Sequence, residues 1–419
     1  LLSLAVAAVS CGHPATHARD AAGDVAIDAT RPLPVLRATS EVCKLLSNLN
    51  TSDPTANDVQ FRSNVLGADL GIPVATTDQL FLFFGDTIGF AGIWPVGQSH
   101  PDSIGYAAAT AIDLPAQLCS QLGIVSLPAS QSIGPTVDAR VQADFAGAAM
   151  VAPPGGSLAD YIHNPAGGGG TTFPNLPGDF EVPSGAFAYG GAIYIFYTTV
   201  VSPTDKTMIG SYLARWDAPA TRGVPSYQIL YTIDERADAA GALGGNFINI
   251  AAVAEGDYVY LFGTGEYRAS PVSLARKRLD SLATAGSFDL TATPIIATPG
   301  YGETSVRYFA AIDRWMFLAE EQVAGANRIV ARFADHAEGP WSDAIVVHDM
   351  ADAAFRASYC CAVDNDCQGI AFMNCDRTGF YGTYLLPDVA LTSDGSFTVT
   401  YTMSSFDSYD VALFQATFR

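Results

Sequence analysis

Positive charge is scarce in this chain. Among 419 residues, 21 Lys and Arg stand against 42 Asp and Glu, a net charge of −21 with a pI near 4.4. Phosphate backbones are bound by clustered Lys and Arg. The densest basic run here is Arg276-Lys277-Arg278, which reads as a solvated strand end, so nucleic acid is excluded as a partner. Histidine is rare too: there are six, scattered, with His13 and His17 near the N-terminus. No His-Glu-x-x-His is present, which excludes that kind of zinc hydrolase. A Gly-x-Ser-x-Gly elbow is also missing, and with it the usual serine nucleophile. The glycine run from Gly167 to Gly170 lacks the Lys and Ser of a phosphate loop and reads as a flexible connection. Charged residues make up only 15% of the chain and hydrophobic ones 49%, so a large core is within reach.

Long apolar runs are lacking as well. The N-terminal stretch LLSLAVAAVSCG is too short to span a bilayer and ends in small residues before Cys11. It reads as the tail of a lipoprotein-type signal, with an ordinary secretory signal as the alternative. Residues 1–11 are therefore expected to be a signal remnant, with membrane contact only through a lipid on Cys11. Residues 12–40, rich in Ala, Asp, Thr and Pro, are expected to be a flexible tether, and 41–419 the folded domain. The segment EVCKLLSNLN reads as a short helix or turn leading in. An exported chain follows, either a cell-surface or outer-membrane lipoprotein or a secreted monomer.

Seven cysteines agree with export. Setting Cys11 aside leaves six, an even number that suggests disulfides in an oxidising compartment. Two bridges are expected to involve the cluster Cys360, Cys361, Cys367 and Cys375, with separate partners favoured over a strained vicinal bond. The cluster has no neighbouring His and matches no zinc pattern. Asp364-Asn365-Asp366 lacks the spaced ligands of a calcium loop. A structural calcium is the one ion the sequence leaves open, and no cofactor is required.

What is present in quantity is glycine, proline and aromatics: Gly 39, Pro 24, Tyr 18, Phe 23. That mixture suits an all-β protein with many turns. One grammar recurs from residue 58 onward. A short strand ends in a tight turn (GG, EGD, IDR). An aromatic strand follows (AIYIFYTT, YVYLFGTG, WMFLAEEQ), and then a strand with Arg near its end (SYLARW, VSLARK, IVARFA). The period is roughly 50 to 70 residues, in the range of propeller blades. Five units use up the chain, so a five-bladed β-propeller is expected. The fifth begins near ASYCCAVDNDC, and the C-terminal run SYDVALFQATF would close the ring on the first blade. Residues 93–175 read as long loops over one face.

The first unit, NVLGADLGIPVATTDQLFLFFGDTIGF, carries two carboxylates, Asp69 and Asp86, each beside a glycine. Its first run is expected to stop at Gly71-Ile72-Pro73, because proline cannot continue a ladder. A lone Asp near Gly ordinarily caps a turn. Two on one sheet face can instead cut a glycosidic bond, one protonated for the leaving oxygen and one ionised. Other units would bring further polar groups to the same centre: Glu181; Asn246 and Asn249; Glu266, Tyr267 and Arg268; Glu303 and Arg307. Glu320, Glu321 and Tyr359 follow.

GADLGIPV followed by LFFGDT, then GTGEYRASPVSLAR, GETSVRY and EGPWSD, resembles a bacterial propeller family formerly of unknown function that includes endo-D-arabinanases. The resemblance extends over about residues 58–419, and it too implies a five-bladed propeller. It places the paired catalytic aspartates on Asp69 and Asp86. Asp86, behind Phe-Leu-Phe-Phe, is assigned as general acid and Asp69 as general base. Glu181, Asn246, Glu266, Arg268, Glu303 and Arg307 are the expected substrate-binding residues. For Glu266, Arg268, Glu303 and Arg307, an Arg–Glu lattice supporting the wall is the alternative. The Cys360-Cys361 pair and the DNDC segment depart from the family's pattern. The activity implied is hydrolysis of an arabinan-type polysaccharide. A non-catalytic carbohydrate-binding propeller on the cell surface, or an adhesion module, are the alternatives.

Overall fold

A computed structural model describes residues 31–46, 65–89, 102–125, 161–162, 176–178, 180–201, 205–221, 227–237, 241, 243–323, 326–362, 367, 369–406 and 409–419. The expected signal remnant, most of the tether, most of residues 93–175 and Asp364–Asp366 lie outside them.

The chain is all-β. It opens with β1 (Leu36–Leu46), where the tether and a short helix were expected. Strands β2 (Val65–Ala75), β3 (Gln79–Gly89), β4 (Asp102–Ala108) and β5 (Gly123–Ile124) form an antiparallel sheet in that order, and β6 (Tyr161–Ile162) also pairs with β4. A second sheet contains β7 (Phe180–Tyr189), β8 (Ala192–Val200), β9 (Met208–Asp217) and β10 (Tyr227–Glu235). Next come β11 (Asn249–Glu255), β12 (Tyr258–Thr264), β13 (Ser270–Arg278) and the short β14 (Asp289–Leu290). They continue into β15 (Ile296–Phe309), β16 (Arg314–Val323), β17 (Ala326–Ala334) and β18 (Ile345–Asp349), making one eight-stranded sheet. Among the described residues its two halves are joined by strand pairing at β13 and β15 alone, through Ser270 opposite Tyr301 and Val272 opposite Ile296. The last sheet is β19 (Phe380–Leu391), β20 (Phe397–Ser405) and β21 (Asp410–Phe418), with β1 on its edge.

Residue type sets where the strands form. AIYIFYTTV of β8 is buried along its whole length, as a central strand covered on both faces must be. The turns before the aromatic strands use left-handed glycines, Gly190 and Gly191 before β8 and Gly256 before β12.

The core lies between successive sheets. Leu70, Ile72, Phe81 and Phe83 pack on Ile193, Ile195, Tyr197 and Trp216. Phe187, Phe196 and Leu213 pack on Phe247, Ile250 and Leu261. Ala251, Phe262 and Leu274 meet Val306, Phe317 and Val330. Met316, Leu318 and Ile329 meet Leu385, Tyr401 and Phe414. The circuit ends where Leu45, Val411 and Leu413 of the last sheet pack on Leu80, Leu82 and Phe84 of the first. Burying each such large side chain contributes roughly 1.5–3 kcal/mol.

Three expectations change. Pro73 does not end β2: it sits opposite Leu82 inside the strand. β2 is the edge of its sheet, where a missing N–H is tolerated, and the Pro73 carbonyl is met by Arg307 Nη2 at 2.6 Å. The C-terminal run pairs with β1 rather than with the first sheet, so an N-terminal strand completes the last sheet and covers its edge. The segment before β19 is helical at Ala353–Tyr359, with Asp352 capping the N–H groups of Ala354 and Phe355.

Disulfides join Cys43–Cys119, Cys360–Cys375 and Cys361–Cys367. Two lie within the Cys360–Cys375 cluster, and the vicinal bond is not made. Three disulfides suit an extracellular protein. Among the described residues no helix is long and apolar enough to cross a membrane.

Candidate active site

Asp69 and Asp86 line one cavity of about 360 Å³. The backbone brings Asp69 there by an irregular path. Leu70 (φ 65°) and Gly71 (φ 98°) are both left-handed, and the register slips on either side of them. A left-handed leucine is strained and persists only where its surroundings hold it. Here Ser404 Oγ donates to Leu70 O and Thr402 Oγ1 to Gly71 O, each at 3.2 Å, clamping β2 onto β20. Asp69 stands opposite Gly85, one residue before Asp86. A Cβ at Gly85 would come within 2.5 Å of Asp69 Oδ1, so the glycine of LFFGDT makes room for the other aspartate.

Asp69 is 9% exposed. Tyr381 donates to its Oδ2 at 2.8 Å, and Tyr409 lies beside the same carboxyl, where it favours the charged form. Its Oδ1 has no hydrogen-bond partner among the described residues. Burial, then the charge of Asp86, push this carboxyl up to about 8; the Tyr381 bond opposes them and Glu303 adds to them. Asp69 is the carboxyl that its surroundings hold protonated at neutral pH: Tyr381 of β19 and Tyr409, just before β21, cover it, and Asp86 faces the cavity half-buried.

Two further acids lie behind Asp86. Asp102 on β4 is fully buried, and neither of its oxygens has a hydrogen-bond partner among the described residues. Burial first, then Glu181, Asp86 and Asp69, push it well above the ordinary carboxyl range. Glu181 is 2% exposed and is likewise pushed up by burial, then by Asp86. In both, burial favours the neutral acid over the carboxylate. Asp102 was missed by sequence reasoning, because only the pairing of β3 with β4 puts it near Asp86.

On the far wall, Arg268 is left-handed (φ 51°) and lies between the rings of Tyr267 and Tyr381, at 4.7 and 4.9 Å. Its Nη2 reaches Glu303 at 3.4 Å, and its Nε lies 3.1 Å from Glu320 Oε2 without hydrogen-bond alignment. Burial alone would lower its pKa; Glu303 and Glu320 instead raise it well above the usual value, so it stays cationic. Glu320, fully buried, accepts from Gln322 and Asn327 at 2.6 and 2.7 Å.

Of the expected substrate-binding residues, Arg268 and Glu303 line the cavity, and so does Asn249. The others are not among its lining residues. Glu181 is buried behind Asp86, and Asn246 is exposed with its amide on Leu243 O. Glu266 holds an exposed pairing with Arg236 at 3.4 Å. Arg307 ties β15 to Leu385 O at 2.9 Å and to Pro73 O, which is a structural lattice. Tyr381 and Tyr409 were not foreseen. The one local signal for Tyr381 was its place between Gly379 and Gly382 in GFYGTY, the same glycine–aromatic mark as LFFGDT. Among the described residues no group of three metal-ligating side chains gathers.

The fold has counterparts among solved structures. A Bacteroides ovatus protein described as a "putative hydrolase" aligns with TM-score 0.51 at 14% identity, covering 85% of this chain and 87% of that one. The α-L-arabinofuranosidase PaAbf62A of Podospora anserina aligns with TM-score 0.47 at 10% identity, over 92% of this chain and 98% of that one. An exo-1,5-α-L-arabinanase from a bovine ruminal metagenomic library gives TM-score 0.43 at 8% identity, over 85% and 94%. No curated protein matches the sequence. Residues 179–415 match the family described as a domain of unknown function, DUF4185, and the chain belongs to that family. The matched segment contains Arg268, Glu303 and Tyr381 but neither Asp69 nor Asp86.

Proposed function

We propose that this protein is a glycoside hydrolase that cleaves furanosidic linkages in an arabinan-type polysaccharide, as the endo-D-arabinanases it resembles would. The observation that carries this reading is one cavity with two aspartates from neighbouring strands, one buried under two tyrosines and held protonated. That asymmetry is what acid–base cleavage needs.

Asp69 would give its proton to the glycosidic oxygen as the bond to the anomeric carbon breaks. Asp86 would take a proton from the water that attacks that carbon, leaving one new hydroxyl on each product. Arg268 would hold Tyr381 in place and, through it, the Asp69 carboxyl. Asp102 and Glu181, as neutral acids, would leave Asp86 the charge it needs as base. A five-bladed ring is supported by the five interfaces between successive sheet segments and by the weak junction at β13 and β15, which divides the eight-stranded sheet into two blades. Export as a monomer, with a lipid on Cys11, belongs to the same reading. Labelled palmitate retained by a Cys11→Ser variant would remove the lipid.

The test is release of reducing ends from D-arabinan, L-arabinan and other furanans. Wild type should act on at least one, with Asp69→Asn and Asp86→Asn each slower by about 10²–10⁴-fold. Binding without release, unchanged in both variants, would make the protein a carbohydrate-binding module instead.

A further inference from the structure

Phe406 is 68% exposed, more than any other large apolar side chain among the described residues, and it lines the mouth of the cavity. Scattered exposed apolar side chains are ordinary. This one is held in a particular relation to the acid. Its ring meets Tyr409 edge-on at 5.8 Å, and Tyr409 lines the cavity with Asp69. The Tyr409 backbone is seated against Gly67, where a Cβ would come within 2.5 Å of its carbonyl oxygen. β20, which leads into Phe406, is fastened to Leu70 and Gly71 by Ser404 and Thr402. The chain on both sides of the exposed ring is thus anchored to the strand that carries Asp69. Val182, Val200 and Met208 supply an apolar wall to the same cavity.

The charges lining the cavity constrain what can lie there. Asp69, Asp86 and Glu303 are acidic; of the two cations, the Arg268 guanidinium is already engaged by Glu303 and Glu320, and Lys206 is exposed. An anionic ligand would meet the Asp86 and Glu303 carboxylates as well as Lys206 and the occupied guanidinium.

We propose that Phe406 is a stacking platform for one sugar ring of a neutral oligosaccharide, beside the linkage presented to Asp69 and Asp86. A sugar presents an apolar C–H face to an aromatic ring and its hydroxyls to the polar groups opposite. This rests on the hydrolase reading for its choice of sugar. It adds that the site takes a chain longer than one residue, and an uncharged one.

The test is calorimetric binding of a linear, neutral α-linked arabinofuranose hexasaccharide to wild type, Phe406→Ala and Phe406→Trp, all in the Asp86→Asn background so that nothing is cleaved. Because Phe406 is exposed, the substitutions should leave the melting temperature unchanged. Phe406→Ala should weaken binding about 10- to 100-fold, and Phe406→Trp should restore it. A hexagalacturonate should bind at least tenfold more weakly than the neutral chain, by the charge argument. Equal affinity of the alanine variant and its parent, equal affinity for the uronate, or failure of the parent to bind any neutral furan or pyran oligosaccharide overturns the proposal. The hydrolase reading fails separately. Phe406-dependent binding with no bond cleavage by the native enzyme leaves the platform standing and removes the catalysis.

Discussion

A proton on Asp69 in the folded state has a consequence that needs no substrate. The carboxyl moves from an ordinary value near 3.8 to about 8 on folding, because burial and the nearby Asp86 disfavour its charge. The folded chain therefore keeps a proton that the unfolded chain releases. Stability from this group is complete below the unfolded pKa and is lost as pH rises through the folded one. Between pH 5 and pH 8 the loss is on the order of 4 kcal/mol, at about 1.4 kcal/mol per unit. For a domain of this size that is a shift of about 5 °C in melting temperature. Asp102 and Glu181, also raised by burial, add to the same slope, so the quantity to measure is a difference. Asp69→Asn keeps the shape and an acceptor for Tyr381 but cannot ionise. Melting temperatures of wild type and Asp69→Asn should be nearly equal at pH 5, and the variant should melt about 5 °C higher at pH 8 and above. The assay is differential scanning calorimetry across pH 4.5–9, supported by urea midpoints. Parallel pH dependences for the two proteins would mean that Asp69 is ionised in the fold, and the assignment of the acid would be wrong.

Three other outcomes follow from the same geometry. Gly85→Ala would drive a methyl into Asp69 Oδ1 and to 2.9 Å from Leu70 Cδ1, so it should cost about 1–3 kcal/mol in urea unfolding and about 100-fold in kcat/KM; native activity would show that the carboxyl has another place to go. Tyr381→Phe removes a bond that lowers the pKa of Asp69, so the alkaline limb of the kcat/KM–pH profile should move to higher pH; a shift to lower pH contradicts the assigned role. Replacing both Cys43 and Cys119 by Ser opens a loop spanning 76 residues between β1 and the helix Pro115–Gln121, and should destabilise by about 4 kcal/mol in urea melts without changing KM.

Local pattern carried much of the architecture. Alternating aromatic strands such as YVYLFGTG and tight glycine turns made the all-β class legible, since side-chain period and turn chemistry are properties of neighbouring residues. The pairing of Asp69 with Asp86 was legible for the same reason: a hairpin brings them together within 18 residues of chain, 69–86. β1 was not legible. LRATSEVCKLL has no strong alternation and becomes a strand because the edge of β21 needs a partner. The role of Arg307 was equally hidden, since its carbonyl partners Pro73 and Leu385 lie on two other sheets.

That Asp69 holds a proton was decided by the tertiary structure alone. An apolar run before Asp86 suggested a desolvated carboxyl there, but Phe81, Leu82, Phe83 and Phe84 all turn into the core between sheets, and Asp86 beyond them reaches the cavity. The cover over Asp69 comes from Tyr381, 312 residues further along the chain, and from Tyr409. Solvation is set by whatever packs on a group, and residues adjacent in sequence supply only part of that. The residue types, their strand period and the glycine beside each aspartate came from the sequence; the burial that covers Asp69 came from the fold.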